Sequence, residues 1–320
     1  MSSYRRGSKG EEVRRIQDRL KAQGYYDGER DGIFGGGTES AVKRFQKAQG
    51  LEPDGVVGPL TWAALFDQEE IREPTILKEG LAYRCLALTG SFETGRPPPE
   101  CFCGITGDFD GQGLSFGVLQ WNLGQQSLQP LFREMAQKHP SLLEDICQDN
   151  YPELHAVFTS SAEEQLAWVR SVQDQRRFTL FEPWRGLLKT LGRQEEFQQI
   201  QVKHAEKLHR QARTLCKDYG LWSQRAVALM FDIKVQNGSI SSLVKAQIEA
   251  DFARLDQGLT REQAEQARLL IVANRRAEAS NPRWIEDVRR RKVTIAAGEG
   301  RVHGHQYHLA DDYGIRLEPF

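Results

Sequence analysis

The amino-acid sequence predicts a mainly α protein that carries one small β element and begins with a small module of three helices. Apolar residues recur at steps of three and four along most of the 320 residues, which is the pattern of amphipathic helices. Two Asp-Gly segments near the start repeat one another, and a glycine-rich segment at 107–117 interrupts the helical pattern. A chain of this length is expected to form two domains, which we place at 1–68 and 76–320, joined by a polar linker at 69–75.

The overall charge argues against nucleic acid and membranes as partners. The formal net charge is −1 and the isoelectric point is near 6.7, so no bulk attraction to polyanions is expected. The first residues contain no apolar run of the kind found in secretory signal peptides, and no segment has the apolar length of a membrane span. We therefore expect a protein that is made in the cytoplasm without a signal peptide.

The cysteines do not form the pattern of a disulfide framework, because their number is odd and their spacing is irregular. Cys101 and Cys103 are also too close in sequence for the usual paired zinc ligands. We expect mostly buried thiols in a reducing compartment, with a disulfide at Cys101 or Cys103 after export as the alternative. No metal and no other cofactor is predicted. The five cysteines are Cys85, Cys101, Cys103, Cys147 and Cys216.

The N-terminal repeat predicts turns that are followed by helices. "DGIFGGGTES" begins at Asp31 and "DGVVGPLTWA" begins at Asp54. Each Asp-Gly pair favours a tight turn, since glycine accepts a positive φ, and Thr38 and Thr61 are predicted to cap the helices that follow. A preceding helical stripe ends at Gly24. Three short helices are therefore predicted between residues 5 and 66.

This stretch resembles the three-helix peptidoglycan-binding module found on many cell-wall hydrolases. The resemblance implies that the module binds peptidoglycan; a generic helical docking module is the alternative, because a small fold alone does not determine a ligand. The residues that carry the resemblance are Gly7, Gly10, Val13, Leu20, Gly24, Asp31 to Gly35, Thr38, Ala41, Val42, Phe45, Gln46, Gly50, Leu51, Asp54, Gly55, Val57, Gly58, Thr61 and Trp62.

Glu93 is a candidate general acid. It follows an apolar stripe formed by Leu77, Leu81, Cys85, Leu88 and Phe92, which predicts one helix of about four turns. The prolines of "TGRPPPE" then end that helix. Apolar neighbours and the negative end of the helix dipole both favour the protonated form, which a general acid needs.

Asp110 is a candidate partner for that acid. It lies in "GDFDGQGLSFG", where glycines at 107, 111 and 113 allow sharp turns and close approach of a ligand. A carboxylate in such an open loop is expected to stay ionised, and Ser115 could help to hold a water molecule beside it. A calcium loop, which would lack its closing glutamate, and a plain hairpin turn remain the alternatives.

The two segments resemble enzymes of the lysozyme-like superfamily. "SFETG" followed by "DGQGLSFG" is similar to family 46 chitosanases, which implies that Glu93 is the general acid, that Asp110 positions the attacking water and that Ser115 helps to hold it. "FGVLQWN" is similar to goose-type lysozymes and lytic transglycosylases, which implies that Gly117 and Gln120 line the cleft. We also predict that three neighbours of these motifs bind substrate: Asp108, Trp121 and Asn122.

The resemblance to the chitosanases extends more weakly to "AVALMFDIKVQNG", which looks like their core helix. It implies that Asp232 belongs to a buried network with arginines, for which Arg275, Arg276 and Arg283 are the candidates. The insertion "RPPPECFCGIT" between the two acids has no counterpart in that family, so the resemblance does not determine the substrate.

The remaining sequence predicts further helices with recognisable starts at Ser161, at Thr260 with Gln263, and at Asn281 before a proline. Near the end, "VHGHQYHLADDYG" contains three histidines without obviously spaced acid or cysteine ligands, so a zinc site is not favoured. We predict instead that His305 and Tyr307 contact sugar in a cleft.

Taken as a whole, the sequence predicts a muramidase-type hydrolase that cleaves β-1,4 bonds of peptidoglycan with inversion. The alternatives are a chitosanase, a lytic transglycosylase that uses Glu93 alone, and a non-catalytic wall-binding or injection-machine component. Peptidoglycan is the predicted partner, and the chain is expected to be a monomer. Without a signal peptide, a holin or a secretion system would have to deliver it to the cell wall or periplasm, as with a phage endolysin or an injected effector that has an immunity protein.

Overall fold

The computed structural model describes residues 3–67, 69–71 and 74–320, and its secondary structure is mainly helical. Residue 68, where the predicted module ends, and residues 72 and 73 of the predicted linker lie outside the described residues. The α-helices are α1 Glu11–Ala22, α2 Gly36–Ala48, α3 Pro59–Leu65, α4 Leu81–Thr94, α5 Gln129–Lys138, α6 Pro140–Cys147, α7 Tyr151–Thr159, α8 Ala162–Ser171, α9 Trp184–Arg193, α10 Glu195–Asp218, α11 Gln224–Asn237, α12 Ser242–Phe252, α13 Arg261–Glu278, α14 Ile285–Ala297 and α15 Leu309–Asp312.

The strands are short and form two small antiparallel sheets, so the predicted fold class of a mainly α protein with a small β element is confirmed. The first sheet has the order β1-β2-β3, and the second is a β4-β5 hairpin. Their bounds are β1 Ile105–Thr106, β2 Ser115–Phe116, β3 Trp121–Asn122, β4 Glu299–Val302 and β5 His305–His308, and four 3-10 helices cover Thr75–Lys78, Glu100–Cys103, Gln148–Asn150 and Pro282–Trp284.

The chain folds into two compact units. The first unit combines Met1–Leu88 with Leu208–Phe320, and the second unit is Thr89–Lys207. Both passages of the chain between the units occur inside helices, one in α4 and one in α10. The predicted module at 1–68 is therefore part of the first unit, together with the C-terminal third of the chain. Within the described residues, no helix is both long and apolar enough to span a bilayer.

The N-terminal module packs α1, α2 and α3 around a shared apolar core that includes Ile16, Phe45 and Trp62. The prediction that Thr38 and Thr61 cap helices was wrong. Gly35 and Gly58 occupy the N-cap positions, while both threonines lie inside the first turns and are buried. The two glycines have almost the same backbone angles, φ −87° with ψ −174° and φ −86° with ψ −174°, so the repeat in sequence is also a repeat in structure.

Two buried glutamines organise the two Asp-Gly turns. The Gln17 amide donates to Asp31 Oδ1 at 2.9 Å and to Thr38 Oγ1 at 3.2 Å, and its oxygen accepts from the Gly32 amide at 2.9 Å. Gln46 makes the same three bonds with Asp54, Thr61 and Gly55, at 2.8, 3.1 and 2.9 Å. Each turn is thus held by a side chain from the preceding helix.

Several predicted helix ends are confirmed. Ser161 with Glu164, and Thr260 with Gln263, form complete capping boxes, and the Asn281 side chain accepts from the Arg283 amide. The helix before Glu93 is shorter at its start than the apolar stripe suggested. Leu77 lies in the separate 3-10 helix Thr75–Lys78, because Glu79 is extended and α4 begins only at Leu81.

The second unit packs its three-stranded sheet against α5 to α9. Stacked aromatic rings form the centre of its core, with Phe116 from β2 over Phe197 and Phe132 over Phe158. Ile105 pairs with Phe116, and Phe116 pairs with Trp121, which aligns the strands at the core. The segment 107–114, which joins β1 to β2, therefore begins and ends at paired strands that pack against the core.

All five cysteines are buried and none forms a disulfide, as expected from their spacing. Burial raises the pKa of the Cys103 thiol to about 12 and that of Cys147 to about 11. The thiols are therefore protonated at neutral pH and pack as small apolar groups.

Candidate active site

Glu93 lies in the last turn of α4, one residue before the helix ends at Thr94. The predicted position at a helix C-terminus is therefore confirmed. Phe92, the last member of the apolar stripe, is buried, whereas the Glu93 side chain is exposed. The expectation of apolar surroundings for this carboxyl group was wrong, because the helix directs Glu93 away from the buried stripe.

Residues 107–113, which we call the acid loop, connect β1 to β2 in the second unit. Gly111 and Gly113 have φ angles of 81° and 79°, in the left-handed region that favours glycine. A Cβ atom on Gly113 would also approach Leu166 Cδ2 to 2.7 Å. The glycines thus permit a tight loop whose ends are fixed by the sheet.

Asp108 anchors the acid loop from inside. Its side chain is 3% exposed; Oδ1 accepts from the Gly113 amide at 2.8 Å, and Oδ2 accepts from Arg170 Nε at 2.7 Å. The Asp108 amide donates to Gln173 Oε1 at 2.8 Å. Burial opposes ionisation of Asp108, but the bonds from Gly113 and Arg170 outweigh it and lower the pKa. Both oxygens are thus engaged within the chain, and the predicted contact of Asp108 with substrate has no support from this arrangement.

Asp110 stands at the tip of the acid loop and is exposed. Its Oδ1 accepts from the Gln112 amide at 3.1 Å, which is the bond of an Asx turn. The neighbouring Phe109 is also 61% exposed, which is unusual for a large apolar side chain. The loop therefore presents a carboxylate and an aromatic ring to solvent, while Asp108 holds the backbone beneath them.

Ser115 and Asn122 face each other across β2 and β3. The Asn122 side chain donates to Ser115 Oγ at 2.9 Å, and its oxygen accepts from the Gln125 amide at 3.1 Å. Asn122 is buried, whereas Ser115 is partly exposed just after the acid loop. Asn122 thus fixes the orientation of the Ser115 hydroxyl, which keeps the capacity to donate a hydrogen bond.

Gln120 holds the turn between β2 and β3. Its oxygen accepts from Thr106 Oγ1 at 2.9 Å, and its amide donates to the Gly117 carbonyl at 2.8 Å. Gly117 has a φ of 88°, and a Cβ atom there would lie 2.7 Å from Gln201 Oε1. Trp121 is partly buried against the core of the unit. Gly117 and Gln120, predicted to line a cleft, and Trp121, predicted to bind substrate, therefore support the sheet that carries the acid loop.

Sequence reasoning missed the side chains that hold this region from a distance. Arg170 reaches Asp108 across 62 residues of sequence, and Gln201 accepts from the Val118 amide at 2.8 Å across 83 residues. Gln173 and Gln201 are buried polar residues, which need partners. Neither glutamine belongs to a local motif, so the sequence carried no signal for its partner.

The buried network around Asp232 has different partners from those predicted. Asp232, on α11 in the first unit, accepts from Arg291 Nε at 2.8 Å and from Lys292 Nζ at 2.6 Å. Burial opposes ionisation, but the two cations outweigh it and lower the pKa of Asp232. In the described part of the chain neither Arg276 nor Arg283 forms an ion pair with Asp232, so neither is its direct partner, although the charge of Arg276 acts on the neighbouring Lys292.

The rejected candidates have other environments. Arg275 Nε binds Asp251 at 2.5 Å and Arg283 lies over the ring of Trp284, while burial lowers the pKa of Arg276. All of these residues lie on α12, α13 or the 3-10 helix after α13. The sequence order of arginines could not predict which of them the fold brings to Asp232.

The predicted sugar contacts of the C-terminal segment are only partly compatible with the structure. Tyr307 is 1% exposed and the ammonium of Lys9 lies 3.4 Å from its ring centroid, so stacking of Tyr307 on a sugar is excluded by burial. His305 is partly exposed. His303 and His308 are engaged with Asp287 at 2.6 Å and with Glu299 at 3.3 Å.

Comparison with known proteins identifies the N-terminal module. Residues 9–65 match the family described as "Putative peptidoglycan binding domain", which confirms the interpretation of the repeat. The spore cortex-lytic enzyme of Bacillus cereus is 35% identical over 98 residues, which are 29% of this chain and 36% of that enzyme. The zinc D-Ala-D-Ala carboxypeptidase of Streptomyces albus G is 41% identical over 69 residues, 20% of this chain and 26% of that enzyme.

The chain thus spans only about a third of the length of the cortex-lytic enzyme and about a quarter of the length of the carboxypeptidase. Among solved structures, the native chitosanase from Bacillus subtilis MY002 is similar at 14% identity. That alignment covers 71% of this chain and 97% of the chitosanase, with a TM-score of 0.43.

Proposed function

We propose that the chain is a cell-wall glycan hydrolase that cleaves a β-1,4 bond between the amino sugars of peptidoglycan. In this proposal Glu93 is the general acid, Asp110 activates the attacking water, and Ser115 helps to hold that water. The observation that carries the proposal is the exposed carboxylate of Asp110 on a loop whose other aspartate is locked by Arg170 and Gly113. In the plain turns of the module, by contrast, the aspartate at the equivalent position is itself bound by a buried glutamine.

The chemistry requires one acid and one base on opposite faces of the scissile bond. Glu93 would donate its proton to the leaving oxygen as the glycosidic bond breaks. Asp110 would take a proton from water as the water oxygen bonds to the anomeric carbon. The product would have inverted configuration, for which the two carboxyl groups are expected to stand about 6.5–9.5 Å apart in the complex.

Glu93 is exposed in the free protein, so a sugar chain can approach its carboxyl group. A sugar chain bound over this group would displace water from it. Asp110 at the loop tip would accept from the attacking water, and the Ser115 hydroxyl, oriented by Asn122, could donate to the same water. The exposed ring of Phe109 offers a surface for a sugar face beside this site.

The module supports peptidoglycan as the polymer. Its match to a peptidoglycan-binding family covers 57 residues, from 9 to 65, and the matched relative from Bacillus cereus is a cortex-lytic enzyme. Binding of the module to the wall would raise the effective concentration of glycan at the acid loop. We propose the cell wall as the place of action; delivery by a holin or a secretion system, and an immunity protein, remain predictions.

Substitution of Glu93 tests the proposal. Glu93→Gln should lower the rate of turbidity loss of purified peptidoglycan by about 100-fold or more, because the leaving group would no longer be protonated. Glu163→Gln is the matched control, since Glu163 is another exposed glutamate in the second unit. Both variants should still sediment with peptidoglycan. Unchanged lysis by Glu93→Gln would refute the assignment.

The released ends separate hydrolysis from its alternatives. Mass spectrometry of digested peptidoglycan should show reducing ends with one added water for each bond cleaved. Anhydro ends would instead identify a lytic transglycosylase, and reducing ends from chitosan but none from peptidoglycan would identify a chitosanase. Wall binding without any cleavage product would leave the module as the functional part of the chain.

A further inference from the structure

A cavity of about 510 Å³ lies between the N-terminal module and the β4-β5 hairpin, both of which belong to the first unit. It contains none of the residues proposed for catalysis. The module and the hairpin both contribute to its wall, so neither forms it alone. The lining residues are Arg6, Gly7, Lys9, Ile33, Phe34, Gly35 and Gly36 from the module and Arg301, Gly304, His305, Gln306 and His308 from the hairpin.

The module and the hairpin are in direct contact beside this cavity. Gly7 has a φ of 101°, and a Cβ atom there would lie 3.0 Å from Gln306 Cγ and 3.1 Å from His308 Cδ2. Arg5 also forms a 2.7 Å ion pair with Asp311, just after the hairpin. The cavity is therefore the open part of a contact region between the module and the hairpin that is otherwise closely packed.

The wall of the cavity is cationic. It includes Arg6, Lys9 and Arg301, and none of its lining residues, all from the described part of the chain, carries a carboxylate. The Lys9 side chain is 4% exposed, although burial of an ammonium is costly even over an aromatic ring such as Tyr307. Burial, and then the charge of Lys9, lower the pKa of His305, so His305 is neutral at pH 7 and can act as a hydrogen-bond donor.

Acidic residues outside the cavity wall act on several of its members. Glu39 approaches Arg6 to 3.7 Å and Glu299 binds His308 at 3.3 Å, while Asp312 interacts with Lys9 and Asp31 with His305. Arg301 donates to the Gly304 carbonyl at 3.0 Å and has no carboxylate partner among the residues that the structure describes. Arg301 therefore retains donors that can bind an anion.

The start of α2 adds a further attraction for an anion. This helix of 13 residues begins at Gly36, and its N-cap Gly35 provides no side-chain cap, so the first amides are not satisfied from within the cap. Such amides and the positive end of the helix dipole favour negative charge. Gly35 and Gly36 both line the cavity, so these amides act together with the cationic side chains.

We propose that this cavity binds an anionic group of the cell wall, and in particular the carboxylates of a peptidoglycan stem peptide. The source of the ligand rests on the proposed function, whereas the preference for an anion rests on the cavity itself. The volume is in the range of sites for small ligands and exceeds the needs of a single phosphate. Ile33 and Phe34 add an apolar wall that suits a peptide backbone and its methyl groups.

The internal repeat offers a matched pair of variants. Gly35 and Gly58 are both N-caps with the same backbone angles, and neither would have a neighbour within 4 Å of an added Cβ atom. Aspartate is a favoured N-cap residue, so Gly35→Asp and Gly58→Asp should both fold. Gly35 lines the cavity and Gly58 does not, so only Gly35→Asp places a competing carboxylate at the ligand position.

The measurement is calorimetric titration of the full chain with the tripeptide L-Ala-γ-D-Glu-meso-diaminopimelate. We expect saturable binding that weakens about tenfold or more in Gly35→Asp and stays unchanged in Gly58→Asp. Arg301→Gln should also weaken binding, whereas Arg254→Gln, which removes another exposed charge on the loop after α12, should not. Amidation of the peptide carboxyls should weaken binding by a comparable factor.

Titration with glycerol 3-phosphate distinguishes the source of the anion. Binding of the tripeptide supports a carboxylate ligand, and binding of glycerol phosphate alone supports the anion site but overturns the assignment to the stem peptide. The proposal as a whole is overturned if neither probe binds saturably, or if Gly35→Asp and Gly58→Asp behave alike. Glu93→Gln should retain tripeptide binding, so failure of the hydrolase proposal would not be mistaken for failure of this site.

Discussion

The two turns of the N-terminal module and the acid loop of the second unit all contain an Asp-Gly pair, but the aspartate has a different environment in the acid loop. In all three turns the aspartate accepts a hydrogen bond from the amide two residues ahead, namely from Ile33, Val56 or Gln112. In the module, a buried glutamine also binds each aspartate. Asp110 receives no such partner in the described part of the chain, and its carboxylate faces solvent.

The difference lies in which group performs the anchoring. Gln17 and Gln46 hold the module turns through the aspartates themselves, which are thereby committed to the structure. In the acid loop, Asp108 takes the anchoring role by binding Arg170 and Gly113. Because Asp108 holds the loop backbone, the exposed carboxylate of Asp110 is not needed to anchor the loop. A short Asp-Gly motif therefore indicates a turn, and only its surroundings decide whether the carboxylate can react.

The largest effect is expected from Asp110→Asn. If Asp110 activates water, cleavage of peptidoglycan should fall by about 100- to 10,000-fold, while the melting temperature stays almost unchanged because the side chain is exposed. Asp54→Asn is the control in the comparison, since it alters the equivalent residue of a module turn and should leave the rate intact. A cleavage rate at the wild-type level in Asp110→Asn would show that Asp110 does not activate water.

The second effect concerns the buried glutamines. Gln46→Leu should lower the free energy of unfolding by about 2–4 kcal/mol, because it leaves the Gly55 amide and the Asp54 carboxylate without a buried partner. Gln49→Leu, at an exposed site just after α2, should change it by less than about 0.5 kcal/mol. Urea denaturation measures both. Equal effects would mean that the glutamine does not hold the turn.

A smaller effect is expected from Arg170→Met, which removes the anchor but neither acid. We expect about a tenfold loss in kcat for peptidoglycan with little change in KM, because Asp110 would be positioned less precisely. Arg170→Lys should restore part of the rate, since a cation would again face Asp108. A wild-type rate in Arg170→Met would show that the anchor is not needed.

The pH dependence of stability in Arg170→Met tests the ion pair between Arg170 and Asp108 independently of activity. The pKa of Asp108 lies below its ordinary 3.8 in the folded protein, so the anchor contributes stability at neutral pH and loses it as the pH falls through the folded value. Without Arg170 the pKa rises. The stability lost between neutral and acidic pH, measured by thermal unfolding, should therefore be smaller in Arg170→Met than in wild type and unchanged in the exposed control Arg176→Met.

The smallest effect tests Asp312, an aspartate that is buried, whereas Asp110 is exposed. Burial raises the pKa of Asp312 to about 7, against the opposing influence of the His308 amide and Lys9. A raised pKa means that the folded state binds a proton more tightly, so stability falls as the pH rises from about 4 to 7. Asp312→Asn should abolish that fall and gain a few degrees in melting temperature at pH 8 relative to wild type. A parallel pH dependence in both proteins would contradict this.

Local patterns predicted those features that depend on neighbours in sequence. The turns at Asp31 and Asp54, the capping boxes at Ser161 and Thr260, and the end of α4 beside Glu93 all follow from short-range sterics and hydrogen bonding. The prediction that Thr38 and Thr61 cap helices was wrong because local hydrogen bonding allows more than one residue to occupy the N-cap position. A preceding glycine could take the cap position, and a distant glutamine claimed each threonine hydroxyl.

Long-range partners could not be predicted, because the sequence does not say which helix faces which. The assignment of Arg276 and Arg283 to Asp232 failed although several arginines were available, since α14 rather than α13 delivers the cations. Tyr307 was predicted to face sugar, but its ring is covered by Lys9 from the module. The roles of Glu93, Asp110 and Ser115 stay predictions until the variants are measured.

By itself, the sequence determined the mainly helical fold, the repeated turns of the N-terminal module and the presence of two acids at a helix end and in a glycine-rich loop. Those features depend on backbone freedom and on periodic burial, which are local properties. Only the tertiary structure decided that Asp108 is an anchor and Asp110 is exposed, and that the module and the β4-β5 hairpin enclose a cationic cavity. The reason is that burial and charge pairing are set by residues far apart in sequence, whose free energies exist only once the chain has folded.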